Sequence, residues 1–99
     1  MPTPAKMVGP VIRGLDSALA EAVIAAIEID NPDVDVDVED AGGYIRIGTP
    51  GRCRLTRASL EEELGRSFGL HQLEPSLAGF AGRMTSNDDE VVWYLERQD

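Results

Sequence analysis

Asp33 to Glu39 reads Asp-Val-Asp-Val-Asp-Val-Glu, a strict alternation that puts Val34, Val36 and Val38 on one face and four acids on the other. A helix does not accommodate that period, so part of the core must rest on a β-sheet. Arg52 to Thr56 alternates again, with Cys53 and Leu55 on one side and Arg52 and Arg54 on the other. Between the two runs, Asp40-Ala41-Gly42-Gly43 makes a loose hairpin turn, Tyr44 to Ile47 returns with β-branched and aromatic residues, and Thr49-Pro50-Gly51 turns once more. The expectation is a three-stranded antiparallel meander with a helix on its apolar face.

The flanking segments supply the helices. Met7 to Arg13 is a short β-rich run containing Gly9 and Pro10, and a proline without a ladder donor predicts an edge strand or one broken by a bulge. Asp16 or Ser17 offers an N-cap to a helix ending near Ile29, with Leu15, Leu19, Ala22, Val23, Ala26 and Ile27 on one face. Asp30-Asn31-Pro32 stops it. Ser59 to Glu62 has the spacing of a capping box, and Gly65 ends that second helix in the left-handed conformation. A third, short helix over Gly69 to Leu77 turns Leu70, Leu73 and Leu77 inward if Pro75 lies in its first turn. Phe80 to Met84 and Val91 to Leu95 then pair across the turn residues Asn87-Asp88-Asp89. The predicted order is β-α-β-β-β-α-α-β-β, an α+β fold of antiparallel sheets with helices packed on them.

Ninety-nine residues, 42% hydrophobic and 27% charged, suffice for one core and leave no room for a second domain. Residues 1–6 read as a flexible tail and residues 7–99 as the domain. A net charge of −9, eighteen acids against nine bases, argues against nucleic acid and for a positive protein face as partner. One cysteine forms no internal disulfide, and no leading apolar segment marks a signal or membrane span, so the expected compartment is the cytoplasm.

Candidate chemistry is sparse. Asp33, Asp35 and Asp37 resemble the start of a calcium loop, but the glycine and glutamate that loop needs at its sixth and twelfth positions are Val38 and Tyr44 here. His71, the only histidine, has no sequence neighbour to orient it as an acid or base. Cys53, on the apolar side of its strand, reads as a small hydrophobe, with Arg52 and Arg54 as the one argument for a reactive thiolate. Of Trp93 and Tyr94, adjacent on the last strand, one packs inward and the other faces out. Gly14-Leu15-Asp16-Ser17-Ala18-Leu19 has the look of an acyl carrier attachment site, with phosphopantetheine on Ser17. Against that alternative stands the alternation from Asp33 to Thr56, since carriers are helical bundles.

Ser76, Ala78, Gly79, Ala81 and Gly82 surround one bulky ring, Phe80. So little side-chain volume lets another surface approach the backbone, which marks a contact face. No nucleophile–base pair, phosphate loop or metal spacing accompanies it.

Seven segments in order carry a family resemblance: Val8-Gly9-Pro10-Val11-Ile12-Arg13, Glu28-Ile29-Asp30-Asn31-Pro32, Val38-Glu39-Asp40, Tyr44-Ile45-Arg46-Ile47, Leu55-Thr56-Arg57, Leu60-Glu61-Glu62-Glu63-Leu64-Gly65-Arg66 and Ala78-Gly79-Phe80-Ala81-Gly82. Together they resemble the effector proteins of bacterial multicomponent diiron monooxygenases, the MmoB/DmpM family, on its toluene and alkene branch. The methane branch carries longer terminal tails. The resemblance implies a cofactor-free, non-catalytic protein that docks on a diiron hydroxylase and works beside a reductase and a Rieske-type ferredoxin. It implies that Ser76, Ala78, Gly79 and Phe80 face the hydroxylase; Gly82 and Arg83 also match the family pattern, with Arg83 placing a charge at the rim of the contact.

Overall fold

The computed structural model describes residues 6–14 and 17–95. Strands β1 (Met7–Arg13), β2 (Asp37–Asp40), β3 (Tyr44–Pro50) and β5 (Leu77–Ala81) form an antiparallel sheet in the order β2-β3-β1-β5. Strands β4 (Arg52–Thr56), β7 (Glu90–Tyr94) and β6 (Arg83–Ser86) form a second, in the order β4-β7-β6. Helix α1 (Ser17–Asp30) packs on β4 and on helix α2 (Arg57–Leu64), and a 3-10 helix spans Leu70–Ser76. The α+β class with antiparallel sheets is as the sequence predicts.

One core joins these layers. Val8, Ile12 and Ile47 enter it from the first sheet, Cys53, Leu55, Val91 and Trp93 from the second, and Leu19, Val23, Ala26, Ile27 and Leu60 from the helices. Of the predicted inward face of α1, Leu19, Ala22, Val23, Ala26 and Ile27 are buried, whereas Leu15 and the cap candidate Asp16 lie outside the described residues. Trp93 faces in as expected, whereas its neighbour Tyr94 is half-buried rather than exposed. Residues 1–5 of the expected tail, and 96–99 at the other end, also lie outside the described range.

The predicted meander does not form. Gly51, at φ 74°, turns the chain out of the first sheet, while Thr49 and Pro50 remain in β3. The far edge of β3 is then filled by β1, from Met7↔Pro50 to Arg13↔Tyr44, and β4 pairs with β7 instead. Local alternation identifies strands but is silent on which neighbour a strand takes. Of the two readings of β1, the edge strand fails and the strand broken by a bulge holds. It lies between β3 and β5, and the proline is tolerated because pairing to β3 lapses at Gly9 and Pro10 and the register to β5 shifts between Val11 and Ile12. A Cβ on Gly9 would collide with the Ile47 carbonyl, so the bulged backbone approaches β3 only without one.

Four further expectations are corrected. The alternating run is strand only from Asp37, because the turn after α1 consumes its first residues, and Val34 and Val38 stay exposed at the sheet edge while Val36 alone packs on the core. The cap of α2 is Thr56, not Ser59: the Thr56 hydroxyl accepts the Ser59 amide at 3.2 Å, so the helix begins before the predicted box. Its C-cap is Gly65, at φ 72°, as predicted. The third helix is 3-10, ends at Ser76 and holds Pro75 late rather than early; Leu70 and Leu73 are buried, while Leu77 already begins β5. The strand predicted over Phe80 to Met84 is cut at Gly82 into β5 and β6, one in each sheet, giving three strands after the helices.

Asp30 at the end of α1, Asn31 just after it and Thr49 of β3 seal the second sheet. Strand β4 is an edge, and its outward backbone groups are met by side chains where a further strand would lie. Asn31 Nδ2 donates to the Arg54 carbonyl at 2.8 Å and Asn31 Oδ1 accepts the Arg54 amide at 3.0 Å. Asp30 Oδ2 accepts the Thr56 amide at 2.7 Å, and the Thr49 hydroxyl donates to the Arg52 carbonyl at 2.6 Å.

Candidate docking surface

The small-residue segment is the free edge of the first sheet. Leu77 pairs with Ile12 and points toward the core, Gly79 pairs with Val11, Phe80 with Pro10 and Ala81 with Gly9. Ala78 is the residue left over where the register shifts, and it is exposed. Ser76, half-buried, closes the 3-10 helix that delivers the chain to this edge. Phe80 is 46% exposed, a large apolar ring facing solvent among neighbours too small to shield it. Among the described residues, no side chain caps the β5 edge as Asp30 and Asn31 cap that of β4.

The two glycines of the segment differ. A Cβ on Gly79 would meet no atom within 4 Å, so among the described residues no close contact requires its smallness. At Gly82 a Cβ would lie 2.7 Å from Val8 Cγ1 and 2.8 Å from the Tyr94 carbonyl oxygen, at φ 91°. Gly82 therefore answers an internal demand, the bend that carries the chain from one sheet to the other. Arg83 follows at once, exposed at the start of β6 and paired in register with Tyr94.

Behind β5 lies a cleft of about 670 Å³ between the 3-10 helix and the β6–β7 hairpin. Leu73, Leu77, Met84 and Val91 line it, and Glu74 and Asp88 stand exposed on its rim. Sequence reasoning missed it because Glu74 and Asp88 come to line one cleft only through the hairpin return; each alone reads as a solvated acid.

The segment leading into this region is held by one carboxylate. Glu61 accepts the Phe68 amide at 2.7 Å and Arg57 Nε at 3.0 Å, and these two bonds hold its carboxyl below the ordinary carboxylate range. Arg66 lies 5.4 Å from the centroid of the Phe68 ring, a cation–π contact on the same loop.

The other candidates find structural explanations. Cys53 is fully buried and its thiol is pushed up to about 11, by burial first, with a Thr49 hydrogen bond opposing and the Asp30 charge adding, so it is no thiolate at neutral pH. Arg54, one of the two arginines that argued for a thiolate, points the other way and pairs with Glu90 at 2.9 Å. His71, Asp33, Asp35 and Asp37 are exposed, and among the described residues no group of three or more His, Cys, Asp or Glu is placed to hold a metal. Ser17 is the first residue of α1, in a fold of two sheets rather than a helical bundle, which removes the acyl carrier alternative with its phosphopantetheine.

The MmoB/DmpM family profile matches residues 6–94. The effector subunit of the alkene monooxygenase system of Xanthobacter autotrophicus (strain ATCC BAA-1158 / Py2) is 53% identical over 90 residues, 91% of this chain and 87% of that protein. This chain belongs to the MmoB/DmpM family. Its fold recurs in a chain of the solved phenol hydroxylase–regulatory protein complex, with a TM-score of 0.78 at 24% identity, over 92% of this chain and all of the other. The regulatory protein B of soluble methane monooxygenase also matches, with a TM-score of 0.67 at 20% identity, over 97% of this chain and 70% of the other. As a member of this family the chain is an effector, a regulatory and non-catalytic component of a multicomponent monooxygenase system. No helix among the described residues is long and apolar enough to cross a membrane.

Proposed function

We propose that this effector docks on the diiron hydroxylase of an alkene- or aromatic-oxidising monooxygenase in the cytoplasm, through the β5 edge and the turn after it. The observation that carries this reading is Gly79, where a side chain would meet no atom within 4 Å among the described residues, on a strand that forms the edge of its sheet. Ser76, Ala78, Gly79 and Phe80 form the contact, with the Phe80 ring as its apolar anchor. Gly82 sets the bend beside it and Arg83 supplies charge at the rim. Identity with an alkene monooxygenase effector favours the alkene over the aromatic branch.

The mechanism is a population shift. By binding one hydroxylase conformer more tightly, the effector moves the helices that carry the iron ligands and narrows solvent access to the site. A tenfold change in the conformer ratio requires only about 1.4 kcal/mol of differential affinity, which an interface of ordinary size supplies. Electron delivery through the reductase and a Rieske-type ferredoxin then couples better to hydrocarbon oxidation. The test is reconstitution: added to hydroxylase, reductase and ferredoxin, the protein should raise turnover and reduce peroxide leakage. Turnover and leakage unchanged at saturating effector would refute the reading.

A further inference from the structure

We propose that the cleft between the 3-10 helix and the β6–β7 hairpin receives a basic side chain of the hydroxylase, its stem along the apolar floor and its cation between Glu74 and Asp88. The proposal rests on the docking reading above and extends it to a second surface behind β5.

Three observations support it. The cleft holds about 670 Å³, room for more than one long side chain, and Leu73, Leu77, Met84 and Val91, all packed in or against the core, give it an apolar floor. Lysine and arginine are the side chains that match an apolar floor under an anionic rim, because they bury a hydrocarbon stem while keeping the charge at its mouth. The rim charge is available for such a partner. Among the described residues neither Glu74 nor Asp88 takes part in an ion pair, while the one guanidinium on the wall, Arg57, is held by Glu61 at 3.0 Å. His71 is the remaining titratable group on the rim.

The cleft is also continuous with the proposed contact. Leu77 and Met84 bracket the Ala78 to Arg83 segment in sequence and line the cleft in space, so a body seated on the β5 edge reaches it without leaving the surface. A cation arriving there loses water together with the acids it meets, and charge pairs shielded in this way fix orientation more strongly than exposed ones.

The test compares two double charge reversals of equal net charge by titration against the hydroxylase. Glu74→Lys/Asp88→Lys alters the cleft; Asp35→Lys/Asp37→Lys alters the region of β2, at the opposite edge of the first sheet. The cleft variant should weaken the dissociation constant tenfold or more and flatten its salt dependence, and the β2 variant should change it less than threefold. Equal weakening by both, or none by the cleft variant, would overturn the proposal. Should the lysine variant melt early, Glu74→Gln/Asp88→Asn replaces it, with a threefold or greater weakening expected and an unchanged constant counting against. Wild-type protein that does not bind the hydroxylase would remove the docking reading itself, a result distinct from a cleft variant that binds normally.

Discussion

Gly79 and Gly82 stand three positions apart, and their opposite surroundings lead to opposite predictions. Gly79→Ala should shift stability by less than about 0.5 kcal/mol, since the new methyl meets open space. Gly82→Ala should cost about 1–3 kcal/mol, because it combines a positive φ with contacts that Val8 and the Tyr94 carbonyl cannot both yield. Denaturant unfolding, followed by the fluorescence of the single buried tryptophan, Trp93, distinguishes the two. Gly79→Trp should leave the melting curve near wild type yet reduce stimulation of the hydroxylase, by propping the surfaces apart. Full stimulation by a folded Gly79→Trp protein would show that β5 is not the contact. Cys53 gives a check of another kind: the folded protein should resist thiol alkylation at pH 8 and react once unfolded. Its folded value lies above the unfolded one, so stability is whole below about pH 8.5 and declines as the pH rises toward 11.

Among the elements, the junction of α1, β4 and α2 gathers side-chain hydrogen bonds from Asp30, Asn31, Thr56 and Ser59. Asp30 serves the Thr56 amide at 2.7 Å and the Ser59 hydroxyl at 2.7 Å, so one carboxylate ends a helix, closes a sheet edge and supports the cap of the next helix. Asp30→Ala leaves those donors without an acceptor and should cost about 1–3 kcal/mol. Thr56→Ala removes the N-cap and should cost about 0.5–2 kcal/mol. Because the two share one network, the double variant should lose less than the sum, which a double-mutant cycle measures. The loop from α2 to the 3-10 helix depends on Glu61 instead. Its carboxyl is held low by the Phe68 amide and then Arg57, so the stabilisation is present above the unfolded value of about pH 4.3 and is lost as the pH falls through the folded one. Glu61→Gln should flatten that acid limb of the stability profile.

At the scale of the whole molecule, a net charge of −9 governs how the protein approaches a partner more than how it folds. Affinity for the hydroxylase should fall as salt rises, with the association rate affected first; a salt-independent dissociation constant would show that charge plays no part in docking. The same distinction between local and long-range causes decides what could be read without the fold. The inward face of α1, the Gly65 stop, the burial of Trp93 and the inertness of Cys53 were legible because each depends on period, chirality or burial within a few residues. The N-cap was misplaced by three residues because Ser59-Leu60-Glu61-Glu62 carries the full capping-box spacing, whereas Thr56 caps through the Ser59 amide with no glutamate three residues on and is held from a distance by Asp30, 26 positions away. The small-residue segment was visible as composition, yet the different duties of its two glycines were not.

From the chain alone came the α+β class, the helix faces, the turn positions and a run too small in side chains to be ordinary core. Those follow from backbone sterics and the periods of helix and strand, which act between near neighbours. Only the tertiary structure decided that β1 lies inside a sheet, that β4 leaves β3 for β7, that Gly82 splits one predicted strand between two sheets, and that Glu74 and Asp88 share a cleft. Strand partners are chosen by how distant surfaces exclude water together, and no local pattern records that choice.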